Sequence, residues 1–89
     1  MDEVIVHPRV HERHPNLQNA DVLSAWDNRI VVRRRYANAS DRLVSIGSDS
    51  NGRLIEMVAS QIPNGTWVIF HAMTPPSHKT LKELGLIRR

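Results

Sequence analysis

The stretch from Arg53 to Pro76 constrains the fold more than any other part of the chain. It holds two runs of strand composition, residues 53–59 and 66–72, joined through a Pro-Asn-Gly turn signal. One set of alternate positions in each run is wholly apolar: Ile55, Met57 and Ala59, then Val68, Phe70 and Ala72. The other set is mixed: Leu54, Glu56 and Val58, then Trp67, Ile69 and His71. Strand side chains alternate between faces, so each run is expected to offer a core face and a face that also carries ionisable groups. Bringing the apolar faces together requires pairing of residues of opposite parity. That register sets Glu56 and His71 on one face of neighbouring strands.

The remaining elements follow from local signals. Residues 2–6 read as a short strand or an extended lead-in. Pro8 suits the first turn of a helix that continues through PRVHERH to Pro15. A second helix is expected over 19–26, capped by Asn19, with Asp21 in its first turn and an apolar stripe of Ala20, Val22, Leu23, Ala25 and Trp26. Strands are expected at 30–36 and 42–46, with a turn at 37–40 and the loop GSDSNG at 47–52 leading into the hairpin. Ser77 caps a last helix over 78–84, with Leu81 and Leu84 inward and Gly85 closing it. The sum is one α+β domain over residues 1–89: a four-stranded antiparallel sheet with two N-terminal helices and a short C-terminal one. Trp26 is expected to pack with Ile55, Met57 and Phe70 on the covered face.

A chain of 89 residues supports one modest core. It has no cysteine, hence no disulfide framework and no thiolate metal site, and no apolar run of membrane-spanning length. The acidic start MDEVIV does not read as a signal peptide, and a cytoplasmic protein is the expectation. Twelve Lys and Arg against nine Asp and Glu leave a net charge of +3, and all the cations except Lys79 and Lys82 are arginine. Arginine suits bidentate phosphate contact, so a nucleic acid or an acidic protein is the expected partner class.

The order helix–helix–four strands–helix with basic strands resembles the BrnT toxins of the RelE/ParE-like group of bacterial toxin–antitoxin pairs. The resemblance is carried by HPRVHERHPNLQNADVLSAWDN at 7–28, LVSIGSDSNGRLIEMV at 43–58 and WVIFHAMTPPSHKTLKEL at 67–84. It implies a RelE/BrnT-like fold, an RNA-cleaving activity that requires no metal or other cofactor, and a cognate antitoxin with an acidic or helical segment. The chain departs from the pattern at Met73, where BrnT-like toxins carry arginine, and at His71, which stands in place of serine. A non-catalytic RNA- or protein-binding module on the same fold is the alternative.

Glu56 and His71 are the candidate catalytic pair, as general base and acid on a ribose 2′-hydroxyl and a leaving 5′-oxygen. The bland reading is an ion pair or two solvent-facing residues. Arg33, Arg34 and Arg35 are candidate phosphate ligands, with a charged, solvated edge strand as the competing explanation. Arg53, His11, Arg13 and Lys79 complete the candidate substrate contacts. His7, His11 and His14 have the spacing of one helix side, but Pro15 ends that helix and no fourth ligand is evident. Half-exposed histidines, one facing the cleft, are therefore preferred over a metal comb. No P-loop, nucleophile elbow or HExxH is present.

Overall fold

A computed structural model describes residues 3–35, Arg35 by its backbone alone, and residues 42–87. The predicted turn at 37–40 lies outside them. Among the described residues the chain runs β1 (Val4–Val6), α1 (Pro8–Arg13), α2 (Asn19–Asp27), β2 (Arg29–Arg35), β3 (Arg42–Ser48), β4 (Leu54–Gln61), β5 (Trp67–Met73) and α3 (His78–Glu83). The strands form one sheet in the order β1-β5-β4-β3-β2. β2 to β5 make the expected antiparallel meander. The fifth strand corrects the expectation of four antiparallel strands: β1 pairs in parallel with β5, Val4 opposite Trp67 and Val6 opposite Ile69, so the sheet is mixed. Three residues of β-branched composition suffice because β5 presents them with an otherwise open edge. No helix among the described residues is long and apolar enough to cross a membrane.

Local chemistry sets the element ends. Pro8 opens α1, and the His7 imidazole accepts from the Arg9 backbone N–H at 3.0 Å. Gln18, rather than Asn19, is the N-cap of α2. Its N–H donates to the Asp21 carboxylate at 2.9 Å, so Asp21 both caps the helix and favours its dipole. Between β3 and β4 the buried Asp49 carboxylate accepts from the backbone N–H groups of Asn51 and Arg53 at 2.9 and 2.8 Å. Gly52, at φ 80°, completes that turn.

α2 covers one face of the sheet. Its Val22, Ala25 and Trp26 join Leu43, Ile55, Met57, Ala59, Ile69 and Ala72 in the main core, with Val10 and Leu17 closing one end. β3 meets α2 through Gly47: a Cβ there would collide with the Ala25 carbonyl oxygen and lie 2.7 Å from the carbonyl carbon. The close approach therefore requires glycine. The opposite face buries Val44, Ile46, Glu56 and Val58. α3 crosses this second face, tied to it by Ser77 bonding Glu56 and by the Arg33 guanidinium donating to the Glu83 carbonyl at 2.8 Å. In α3 itself Thr80 is buried, while Leu81 and Leu84 are only half-buried.

The predicted register of β4 with β5 holds for one half only. Glu56, Met57 and Val58 lie opposite Met73, Ala72 and His71, the expected opposite-parity pairing. Beyond them a bulge intervenes, and Ala59 lies opposite Ile69 and Gln61 opposite Trp67. The extra residue is Phe70, and it reverses which residues of β5 face α2. Ile69 is fully buried in the core and Trp67 packs against it, its ring 6.0 Å from that of Trp26. Phe70 lies on the other face, under the Arg42 guanidinium at 5.1 Å. Met57 and Phe70 thus point to opposite faces, and the expected packing of Trp26 on Phe70 is replaced by Trp26 on Trp67. With both alternate sets of β5 largely apolar, the pattern had no parity to impose, and the larger indole took the buried place.

Candidate active site

On the α3 face the half of β5 beyond the bulge brings His71 beside Glu56. The imidazole Nε2 lies 2.7 Å from Oε2 of the carboxylate. The other carboxylate oxygen accepts from both the backbone N–H and the hydroxyl of Ser77, each at 2.9 Å. Ser77 is at the same time the N-cap of α3, its Oγ accepting from the Thr80 N–H at 3.3 Å. Glu56 is only 5% exposed. Burial alone would raise its pKa, but the hydrogen bonds from His71, from the Ser77 N–H and hydroxyl, and from the Thr80 side chain outweigh this and hold it at about 2.

An ionised carboxylate only accepts hydrogen bonds, so Nε2 of His71 carries the proton facing Glu56, and a neutral ring keeps its lone pair on Nδ1. Glu56 is therefore an anchor, with both oxygens engaged. The expectation that it moves protons itself is not matched by this geometry. Proton-transfer capacity rests on His71, oriented by the carboxylate behind it.

The pair opens into a cleft of about 480 Å³ whose walls come from α1, β3, β5 and α3. Arg9, Arg13, Arg42 and Lys79 line it, with Phe70 and Val58 as its apolar part. His14, at the C-terminal end of α1, faces His71 edge-on with ring centroids 6.3 Å apart. The arrangement combines a positioned imidazole with side-chain cations, the makings of a site for a phosphate ester.

Of the predicted substrate contacts, the cleft gathers Arg13 and Lys79. Arg33 lies on the same sheet face but at the far end of α3, bonded to Glu83. Arg34 is paired in register with Leu43, which places it on the α2 face, and Arg35 is paired with Arg42. Arg53 is structural: it forms ion pairs with Asp49 at 2.8 Å and Asp21 at 3.2 Å, fastening the β3–β4 turn to the start of α2. The His11 ring contacts the Leu17 carbonyl at 3.1 Å, away from the cleft. With His7 on Arg9 and His14 on His71, the three spaced histidines serve different purposes, and no group of three or more potential metal ligands is found among the described residues.

Sequence reasoning passed over Arg9 and Arg42. Arg9 had a readable signal, its i, i+4 relation to Arg13 on one side of α1. Arg42 had none, since its place over the cleft depends on the Phe70 bulge.

Compared with protein-family models, with curated proteins and with solved structures, the chain matches none.

Proposed function

We propose that this protein is an endoribonuclease, cleaving RNA by attack of a ribose 2′-hydroxyl on the adjacent phosphate, and that it serves as the toxin of a bacterial toxin–antitoxin pair in the cytoplasm. The observation that carries the reading is the His71–Glu56 pair, 2.7 Å apart, at the base of a cleft lined by Arg9, Arg13, Arg42 and Lys79. His71 Nδ1 takes the 2′-hydroxyl proton, and Glu56 stabilises the imidazolium that results. The cations hold the phosphate and offset the charge that builds on it in the transition state. These steps ask for no metal. The likeness to RelE- and BrnT-type toxins points the same way. Its departure at Met73 is offset here, because the cleft draws its cations from α1, β3 and α3.

A free ribonuclease of this kind requires a neutralising partner, and an acidic segment laid over the same cations suits the role. Trp67 and Ile69 do not supply the partner's apolar contacts in this reading, because Ile69 is buried in the core and Trp67 packs against it.

The test is induction of the wild type beside His71→Ala and Glu56→Gln in a bacterial cell, with mapping of RNA 5′ ends and a folding check on each variant. Wild-type growth arrest with new RNA ends that vanish in folded His71→Ala supports the reading. Arrest with intact RNA points to another target. Folded wild type with neither effect leaves a binding module as the better account.

A further inference from the structure

The reaction proposed above needs two proton transfers on opposite sides of one phosphorus, yet the pair that suggested it supplies a single mobile proton. Glu56 is buried, and its oxygens are taken by His71 and Ser77. Lys79 and the arginines are suited to holding phosphate rather than to surrendering protons near neutral pH.

One group in the cleft remains. His14 is half-buried, and its imidazole makes no hydrogen bond among the described residues, whereas those of His7 and His11 are engaged by nearby backbone. Only the backbone N–H of His14 is used structurally, donating to the Val10 carbonyl at 2.9 Å as α1 ends. The ring faces His71 at a centroid separation of 6.3 Å with planes at 87°. Rings at this separation can each reach a different oxygen of one phosphorus centre held at the mouth of the cleft, through hydrogen bonds of about 3 Å.

Resting on the endoribonuclease reading, we infer that His14 is a second proton-transfer residue, the acid that protonates the leaving 5′-oxygen. In the step, the 2′-oxygen–phosphorus bond forms as the 2′-hydroxyl proton passes to His71 Nδ1. The bond from phosphorus to the 5′-oxygen breaks as His14 gives that oxygen a proton. The products are a 2′,3′-cyclic phosphate and a 5′-hydroxyl end, and the two imidazoles return to their starting states by exchange with water. The substrate class is accordingly RNA, since a deoxyribose lacks the nucleophile.

The experiment compares an ordinary single-stranded RNA oligonucleotide with one in which sulfur replaces the leaving 5′-oxygen at a single linkage. A thiolate departs without protonation, so loss of the acid no longer matters on that substrate. His14→Ala is expected to lose about 10²–10⁴-fold on ordinary RNA and to recover most of the wild-type rate on the sulfur substrate. His71→Ala is expected to fail on both. His14→Gln, which keeps the side chain's bulk and polarity, undergoes the same comparison, with circular dichroism confirming the fold of each variant. A His14 variant that cleaves ordinary RNA at the wild-type rate, or is equally impaired on both substrates, overturns the assignment alone. Wild-type protein that cleaves neither substrate overturns the ribonuclease reading itself.

Discussion

Glu56 shows how a buried acid becomes an asset in this fold. Its carboxyl group is held at about 2, against an ordinary value of 4.5, by donors that exist only in the folded chain. A depressed pKa adds stability that is full above the unfolded value and fades as pH falls towards the folded one. The window is therefore about pH 4.5 down to about 2, and the contribution is on the order of 3 kcal/mol. Urea melts of the wild type should weaken across that window, whereas Glu56→Gln, less stable near neutrality, should lack this share of the decline. Glu56 also stays ionised through any physiological range, so an acidic limb in an activity profile must belong to another group. Ser45 is the opposite case: fully buried on the α2 face, its hydroxyl finds no hydrogen-bond partner among the described residues. Ser45→Ala should leave stability unchanged or raise it by about 1 kcal/mol, read from the same melts.

At the level of elements, the junction of α2 with β3 depends on Gly47. Gly47→Ala must push the Ala25 backbone away or bend β3, and a loss of about 1–3 kcal/mol is expected in the urea midpoint. The elements themselves were largely legible. Caps such as Ser77, the Pro8 start and the Asn64-Gly65 turn are local chemistry and act wherever they occur. Two things were not. β1 is too short to announce itself and is a strand only because β5 lies beside it. The Phe70 bulge is a choice between two apolar sets that local pattern weighs equally, settled by the fit of Trp67 against Trp26. Glu56 and His71 met as expected because their half of the ladder precedes the bulge on β4. The same bulge placed Phe70 beneath Arg42, which no spacing rule would reveal. Removing Phe70 should restore an unbroken ladder with Ile69 inward and His71 outward. The shortened protein is thus expected to fold and to keep the Glu56–His71 contact, visible as a retained hydrogen-bonded Nε2–H signal of His71 by NMR.

On the scale of the molecule, positive charge is divided between two tasks. Arg53 is spent on Asp21 and Asp49, and Arg33 on the end of α3, while Arg9, Arg13, Arg42 and Lys79 remain around one cleft. RNA affinity should therefore fall with salt, and the double variant Arg9→Gln, Arg13→Gln should flatten the slope of log K against log salt by about 1.4, from roughly 0.7 per phosphate contact on a single strand. Arg53→Gln is expected to lower stability instead and to leave that slope alone. A run such as Arg33 to Arg35 draws attention as a unit, yet Arg33 and Arg34 belong to different faces of the sheet. Consecutive charges on a strand alternate between its two faces and cannot act together.

The cleft draws one wall from α1 and another from Ser77 and Lys79, with β2 to β5 between them in sequence. A ribosome adding about 5–20 residues per second has finished the first wall seconds before it delivers the second. Until then Glu56 lacks the Ser77 donors that settle its charge, and His71 has no fixed support. On the ribonuclease reading, a chain not yet translated as far as Ser77, or broken off before it, has the arginines to touch RNA and no assembled machinery to cut it. On that reading, the polysome making this protein is thereby spared until Ser77 and Lys79 have emerged.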